Sequence, residues 1–202
     1  MSYLVIDDFC PYVDEVRKSA ITAGFSTWLP NKGEVGSSIY EGMGFWGDHS
    51  PMLQSLLRIM GCLIVPNAMY FRYTTPGMEP AYIHSDRMSG NHTCICYLTE
   101  HEEEYGTAFY KHIPTGLLEM PTFQQMQSEG ILDQLKEDMV SRNPSNWKLV
   151  DFVRGRKNRA VIFNAPLFHS RMPIEGIGTG SEDARMIWAS HFNKILPSGE
   201  FG

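Results

Sequence analysis

The sequence predicts a mainly β fold, an antiparallel sandwich or jelly roll with helices at its flank, and three observations predict it. From about residue 67 onward, short runs rich in aromatic and β-branched residues are separated by Gly, Pro and Asn. These runs do not alternate with helices, which argues against a doubly wound parallel sheet. Before residue 67 the pattern is different, with two segments of helical spacing and only a weak strand signal around 37–40. At 202 residues, the chain is expected to be a single domain, with a helical part at 1–66, a β core at 67–192 and an insertion at about 114–147.

In chain order, DDFCPYVDEVRKSAITAG reads as an amphipathic helix that starts at Pro11, with Val13, Val16, Ala20 and Ile21 near helical spacing and Gly24 as its stop. SPMLQSLLRIMG reads as a second helix. Ser50 is its expected N-cap, Pro51 its first helical position, Leu53, Leu56, Leu57 and Met60 its buried face, and Gly61 its end. The expected strands are NAMYFRYT, AYIHSD, HTCICYLT, GTAFYKHI, WKLVDFV, RAVIFNA and ARMIWASHFN. The stretch 116–140 interrupts them, reads as helical around 131–140, and is expected to lie over one end of the β core.

Composition narrows the function. A hydrophobic content of 43%, a charged content of 20% and no biased tract describe an ordinary globular chain. No apolar run reaches the roughly 18 residues of a membrane span, and MSYLVIDDFC lacks the basic start of a secretory signal, so cytoplasmic residence is expected. The four cysteines fit no zinc-ribbon spacing, and Cys94 and Cys96 fall on one face of a strand as buried thiols. A formal charge of −6 disfavours a nucleic-acid partner. The single basic cluster, RGRKNR at 154–159, reads as a solvated hairpin turn in which Gly155 and Asn158 take unusual dihedrals.

His84 and Asp86 lie two apart at the end of a strand, where the pleat sends both side chains to one side. Two histidines and one carboxylate bind Fe(II) while leaving positions open for substrate and O2, so a second histidine is required. Of seven histidines, His49, His92 and His101 read as exposed, and His112 lies on a strand without a nearby carboxylate in sequence. His169 ends a strand running into a proline-bounded turn and is preferred. A dicarboxylate that chelates the metal through one end needs a cation at the other, and arginine grips a carboxylate with two prongs. Alternation puts Arg185, Ile187, Ala189 and His191 on one face of the last strand. Arg171, two residues after His169, is the rival to Arg185.

The ordered set IHSD, TCICYL, GTAFYKH, AVIFNAPLFHSRMP and ARMIWASHF resembles the iron(II)/2-oxoglutarate-dependent oxygenases, in particular the branch with the prolyl hydroxylases. The resemblance covers residues 67–192, and YLVIDDFCPYVDEVRKSA is similar to the N-terminal helix of that branch. It implies a double-stranded β-helix, a cupin-like jelly roll with helices behind one sheet. It implies iron held by His84, Asp86 and His169, the far carboxylate of 2-oxoglutarate held by Arg185 with the Tyr97 hydroxyl, and Tyr73 flanking the pocket. His191 stands where prolyl hydroxylases often carry a large aromatic, which leaves it three roles: core residue, donor to a ligand, or substrate contact. The loop EGIGTGSED between His169 and Arg185 is longer than is usual in the family.

The implied reaction is hydroxylation of an unactivated C–H bond in a peptidyl, prolyl or small-molecule substrate, consuming O2 and releasing succinate and CO2, with ascorbate as a candidate reductant. The insertion at 114–147 and the loop GMGFWGDHS are the expected lids. Two rival readings are a cupin-like metal-binding jelly roll without oxygenation, and a silent binding module in which His84 and Asp86 form a plain turn.

Overall fold

The fold was obtained as a computed structural model, which describes residues 2–28, 40–78, 83–122, 124–125, 132–141 and 144–195. Among these residues, ten strands form two antiparallel sheets. They are β1 (Tyr3–Ile6), β2 (Ser26–Trp28), β3 (Tyr40–Gly44), β4 (Ile64–Thr74), β5 (His92–Tyr97), β6 (Gly106–His112), β7 (Trp147–Arg154), β8 (Ala160–Asn164), β9 (His169–Met172) and β10 (Arg185–Lys194). The larger sheet runs β1-β8-β5-β10-β4-β3-β2 and the smaller β7-β6-β9. Among the described residues, three α-helices, α1 (Val13–Ala23), α2 (Ser50–Met60) and α3 (Leu132–Ser141), accompany them. The expected mainly β jelly roll is what forms.

Alternation along the strands sorts the core into layers. On β10, Met186, Trp188 and Phe192 join Val16, Ala20, Met52 and Leu56 of α1 and α2 behind the larger sheet. Ile187 and Ala189 face the other way and pack with Ile95, Phe109, Val161 and Phe163 between the two sheets. A third cluster places Leu135 of α3 with Ala108, Tyr110, Trp147 and Phe168 on the outer face of the smaller sheet. On β5 the same alternation sends Cys94 and Cys96 to the helix-backed layer, fully buried as expected, and all four cysteines are free.

Several local expectations are corrected. Helix α1 starts at Val13, because Pro11 lies in a turn and Tyr12 is the cap; Asp14 and Glu15 in its first turn suit the positive end of the helix dipole. Helix α2 is capped at His49 rather than Ser50, and its buried positions are Met52, Ser55 and Leu56, a face rotated from the expected one. AYIHSD is no strand where it is described: His84 makes an isolated bridge, and Ala81 and Tyr82 lie outside the described residues. Strands β1 and β2 carried too few residues to register in the sequence. Of the weak signal at 37–40, only Tyr40 is described, as the start of β3.

RGRKNR is not a hairpin turn, since β7 pairs with β6 while β8 pairs with β1 and β5, so the segment crosses between sheets. Asn158 has the expected positive φ of 63°. Gly155 does not, and its glycine is required by space: a Cβ there would come within 2.3 Å of the Tyr105 ring.

Three histidines expected at the surface are half-buried. His49 stacks on Phe71 at 4.5 Å, donates from Nε2 to the Phe45 carbonyl at 3.2 Å, and accepts at Nδ1 from the Trp188 indole at 3.0 Å. His92 stacks on Phe192 and His101 meets Tyr105 edge-on.

His112 does find a carboxylate, 26 residues away on α3: its Nε2 lies 2.8 Å from Asp138 Oδ2, and both side chains are buried. Gln134 and Asn146 also donate to Asp138. The pair fastens the described part of the 114–147 insertion to the outer face of the smaller sheet. Burial pushes the Asp138 carboxyl up, but the hydrogen bonds from His112, Gln134 and Asn146 outweigh it and hold the group below its ordinary value. Its contribution to stability is therefore present above the unfolded carboxylate range and lost as pH falls through the depressed folded value. Asp138→Ala should lower the unfolding free energy by about 3 kcal/mol at pH 7 in urea titrations. That gap to the wild type should close in acid.

Candidate metal centre and adjoining cavity

The centre is assembled by backbone pairing. His84 N–H donates to the His169 carbonyl at 3.0 Å and His169 N–H to the His84 carbonyl at 2.9 Å, so the two residues face each other across an antiparallel bridge. Their rings lie 4.4 Å apart. Asp86 N–H donates to the Ala165 carbonyl at 2.9 Å, which brings the carboxylate to the same place. One ligand atom from each of His84, Asp86 and His169 lies within 4.8 Å of the other two.

The protonation pattern suits a cation. His169 Nδ1 donates to the Leu167 carbonyl at 2.9 Å, which leaves the lone pair on Nε2, 3.2 Å from Asp86 Oδ2. Phe163 stands edge-on to this ring at 4.7 Å and, with only 3% of His169 exposed, restricts its rotation. His84 Nε2 lies 3.5 Å from Asp86 Oδ1. Burial pushes the Asp86 carboxyl up, yet the neighbouring imidazoles, His169 first and then His191, hold it well below the usual carboxylate range. A group of this kind, two imidazoles and one ionised carboxylate, fits a divalent transition metal with positions left open.

A hydrogen-bonded chain of one polarity ends on that carboxylate. Thr93 Oγ1 donates to Asp86 Oδ2 at 2.9 Å, so it accepts from His191 Nδ1 at 3.1 Å; His191 Nε2 then accepts from the Tyr70 hydroxyl at 3.2 Å. His191, whose three roles were open, places Nδ1 3.6 Å from Asp86 Oδ2 and also borders the cavity. Burial lowers its pKa, and burial followed by the charge of Asp86 raises that of Tyr70.

Beside the centre a cavity of ≈ 280 Å³ opens between the sheets. Cross-strand partners share its wall: Arg185 opposite Thr74, Ile187 opposite Arg72 and Ala189 opposite Tyr70. Arg171 on β9 and Thr107 on β6, paired in register, line it from the smaller sheet. The rivals Arg185 and Arg171 therefore meet in one cavity. Arg185 is 3% exposed, donates from Nη2 to the Gly106 carbonyl at 3.2 Å, and buries its Nε without a hydrogen-bond partner. The guanidinium lies over the Tyr97 ring, 5.5 Å from its centre. Trp28, Tyr40 and Phe45 complete an aromatic wall.

Two tyrosines are placed differently from expectation. Tyr97 is fully buried behind the wall with its hydroxyl on Thr107 Oγ1 at 2.7 Å, so Thr107 is the group that borders the cavity. Tyr73 faces the helix-backed layer and meets Phe25 edge-on at 4.8 Å; it pairs with Met186, and strand parity gives the pocket position to Tyr70. The expected lids also differ. No described residue of 114–147 lines the cavity, and GMGFWGDHS lies partly in β3, contributing Met43 and Phe45 to the wall. Reasoning from sequence missed Tyr70, Arg72, Thr93 and Thr107. Parity applied to NAMYFRYT and HTCICYLT, starting from Arg185, would have found the first three.

Thr93 supplies the bond that orients Asp86, while its volume is nearly that of valine. Thr93→Val should leave the fold intact and weaken metal binding about 10–100-fold in an Fe(II) or Mn(II) titration.

Comparison with known proteins agrees with the architecture. Residues 80–176 match the model of a family of unknown function, DUF6445. No curated protein matches the sequence. Among solved structures, the non-heme alpha ketoglutarate dependent carbocyclase SnoK from nogalamycin biosynthesis superposes with a TM-score of 0.53 at 11% identity, covering 95% of this chain and 81% of that one. HygX from Streptomyces hygroscopicus, with nickel, 2-oxoglutarate and hygromycin B bound, gives 0.52 at 12% identity, covering 94% and 82%. EctD from S. alaskensis with bound Fe gives 0.51 at 13% identity, covering 99% and 74%. At these identities the likeness is one of fold: the chain has the jelly-roll architecture of the Fe/2-oxoglutarate-dependent enzymes.

Proposed function

We propose that the chain is an Fe(II)/2-oxoglutarate-dependent dioxygenase that hydroxylates an unactivated C–H bond, and that residues 1–202 form one such domain. One observation carries the reading: His84, Asp86 and His169 converge, each with a ligand atom within 4.8 Å of the other two, at the edge of a cavity whose wall holds a buried arginine. The bridge sets the two imidazoles, and Asp86, oriented by Thr93, completes the donor set for iron. Arg185 takes the far carboxylate of 2-oxoglutarate through its unpaired Nε, with Thr107 beside it and Tyr97 beneath its guanidinium. Ile187, Ala189 and the aromatic wall keep water from the reacting atoms. When bound, iron and 2-oxoglutarate supply the O2 chemistry that gives succinate, CO2 and a hydroxylated product, with ascorbate as a reductant.

A cavity of ≈ 280 Å³ suits a small molecule better than a folded peptide segment, so the prolyl-hydroxylase branch is the weaker form of the proposal. Free cysteines support a reducing, cytoplasmic setting, and no helix among the described residues is long and apolar enough to cross a membrane.

Anaerobic titration of the protein with Fe(II) and 2-oxoglutarate should produce the visible charge-transfer band of the chelate, and His84→Ala should abolish it. Metal binding without a band would instead indicate a cupin-like protein that performs no oxygenation. Arg185→Gln should weaken 2-oxoglutarate by about 2 kcal/mol or more, roughly 30-fold in Kd followed through the same band.

A further inference from the structure

The cavity is lined by two unlike sets of groups. One set is His84, Asp86, His169 and Arg185, which the metal and 2-oxoglutarate would take up. The other comes from β2, β3 and the residue after β3, which send Trp28, Tyr40, Met43 and Phe45 to the wall. The chain is 12% aromatic, yet three of these four side chains are aromatic, and neither the metal nor the cosubstrate calls on any of them. Apolar cavity wall that no cofactor uses is left for the substrate.

The rings brace one another. Between ring centres, Trp28 lies 5.5 Å from Tyr40 and stands edge-on to Phe45 at 6.1 Å; Phe45 stands edge-on to Tyr70 at 6.4 Å, and Tyr70 lies 5.7 Å from His191. An unbroken row of rings therefore runs from Trp28, which is 45% exposed, to His191, whose Nδ1 is 3.6 Å from Asp86 Oδ2. A wall already packed in this way loses little freedom when a ligand settles on it. Small side chains leave room beside it: Ala68 pairs with His191 and Ala189 with Tyr70, and both alanines border the cavity. Apolar surface alone would favour any hydrophobic ligand. Rings add a preference of their own, because the positive edge of one aromatic ring is drawn to the negative face of another.

We propose that this wall is the substrate subsite and that the substrate is a small molecule carrying an aromatic ring, which lies against Trp28, Phe45 and Tyr70 in the space left by Ala68 and Ala189. The inference rests on the dioxygenase reading, which makes the cavity a substrate site and gives Arg185 to 2-oxoglutarate. Recognition comes from the ring, so a substrate without charge is accepted. The row of rings ends beside Asp86, and a ring seated on it carries its substituents toward the metal centre.

The test uses the full chain loaded anaerobically with Fe(II) and 2-oxoglutarate, titrated in a calorimeter with 2-naphthalenemethanol and with its fully saturated decahydro counterpart. The saturated alcohol is the more hydrophobic of the two, so a wall that only sheds water would bind it more tightly. Ring recognition should reverse that order, with the aromatic alcohol bound about 3-fold more tightly or better. Trp28→Leu and Phe45→Leu, which keep apolar bulk and remove a ring, should each reduce the preference, and Trp28→Phe should keep part of it. Ala68→Leu should weaken both probes about 10-fold by filling the space. Equal affinities, tighter binding of the saturated alcohol, or binding of neither would overturn the proposal in the wild-type chain alone, whether or not the variants fold. A preference unchanged in both leucine variants would put the ring elsewhere and overturn the assignment to this wall. A normal 2-oxoglutarate band without a ring preference removes the substrate class alone, whereas an absent band removes the dioxygenase reading and this inference with it.

Discussion

Two peptide hydrogen bonds between His84 and His169 hold the site together. They join a segment outside the regular strands to the start of β9, and they fix two side chains whose residues are far apart in sequence. Each such bond contributes only about 1 kcal/mol to stability, so their value is positional. With the backbones paired, the imidazoles lie side by side, and the Asp86 N–H bond to Ala165 brings the carboxylate up to them. The rest of the site elaborates this arrangement. Leu167 selects the tautomer of His169, Phe163 limits its ring, and Thr93 orients Asp86.

The buried Asp86 carboxylate lies beside three imidazoles, and its charge is answered locally. Thr93, His191 and Tyr70 line up their O–H and N–H bonds in one direction toward Asp86. A chain of this sort polarises along its length and stiffens the groups in it. It also ties Asp86 to the cavity wall, since Tyr70, His191 and Thr93 all border the cavity. The geometry of the ligand and the shape of the pocket are thereby set by the same side chains.

Legibility in the sequence followed the range of the interactions. Strand parity is local, so the faces of β5 and β10, the burial of Cys94 and Cys96, and the grouping of Arg185 with Ile187, Ala189 and His191 could all be read directly. His84, Asp86 and His169 were readable as a set because their residue types and order carry the resemblance. What failed was long-range. Asp138 as partner of His112, Trp188 as partner of His49, and the crossing of 154–159 between sheets depend on pairings that no window of sequence contains. Tyr73 was misplaced by a single step of parity, which is enough to turn a side chain to the opposite face. The aromatic wall was missed for another reason: β2 and β3 are short strands at one end of the larger sheet, and the glycines of β3 dilute its pattern.

The alternation on β5 has a chemical corollary. Thr93 and Ile95 border the cavity, while Cys94 and Cys96 open onto the helix-backed layer, where burial raises both thiol pKa values. Sulfur is the most readily oxidised element in the chain, and its reactive form is the thiolate. A full thickness of sheet thus separates these thiols from the cavity and from His84, Asp86 and His169, and burial favours their protonated, less reactive form. One face of β5 thereby serves the cavity while the other keeps its sulfur out of reach of it.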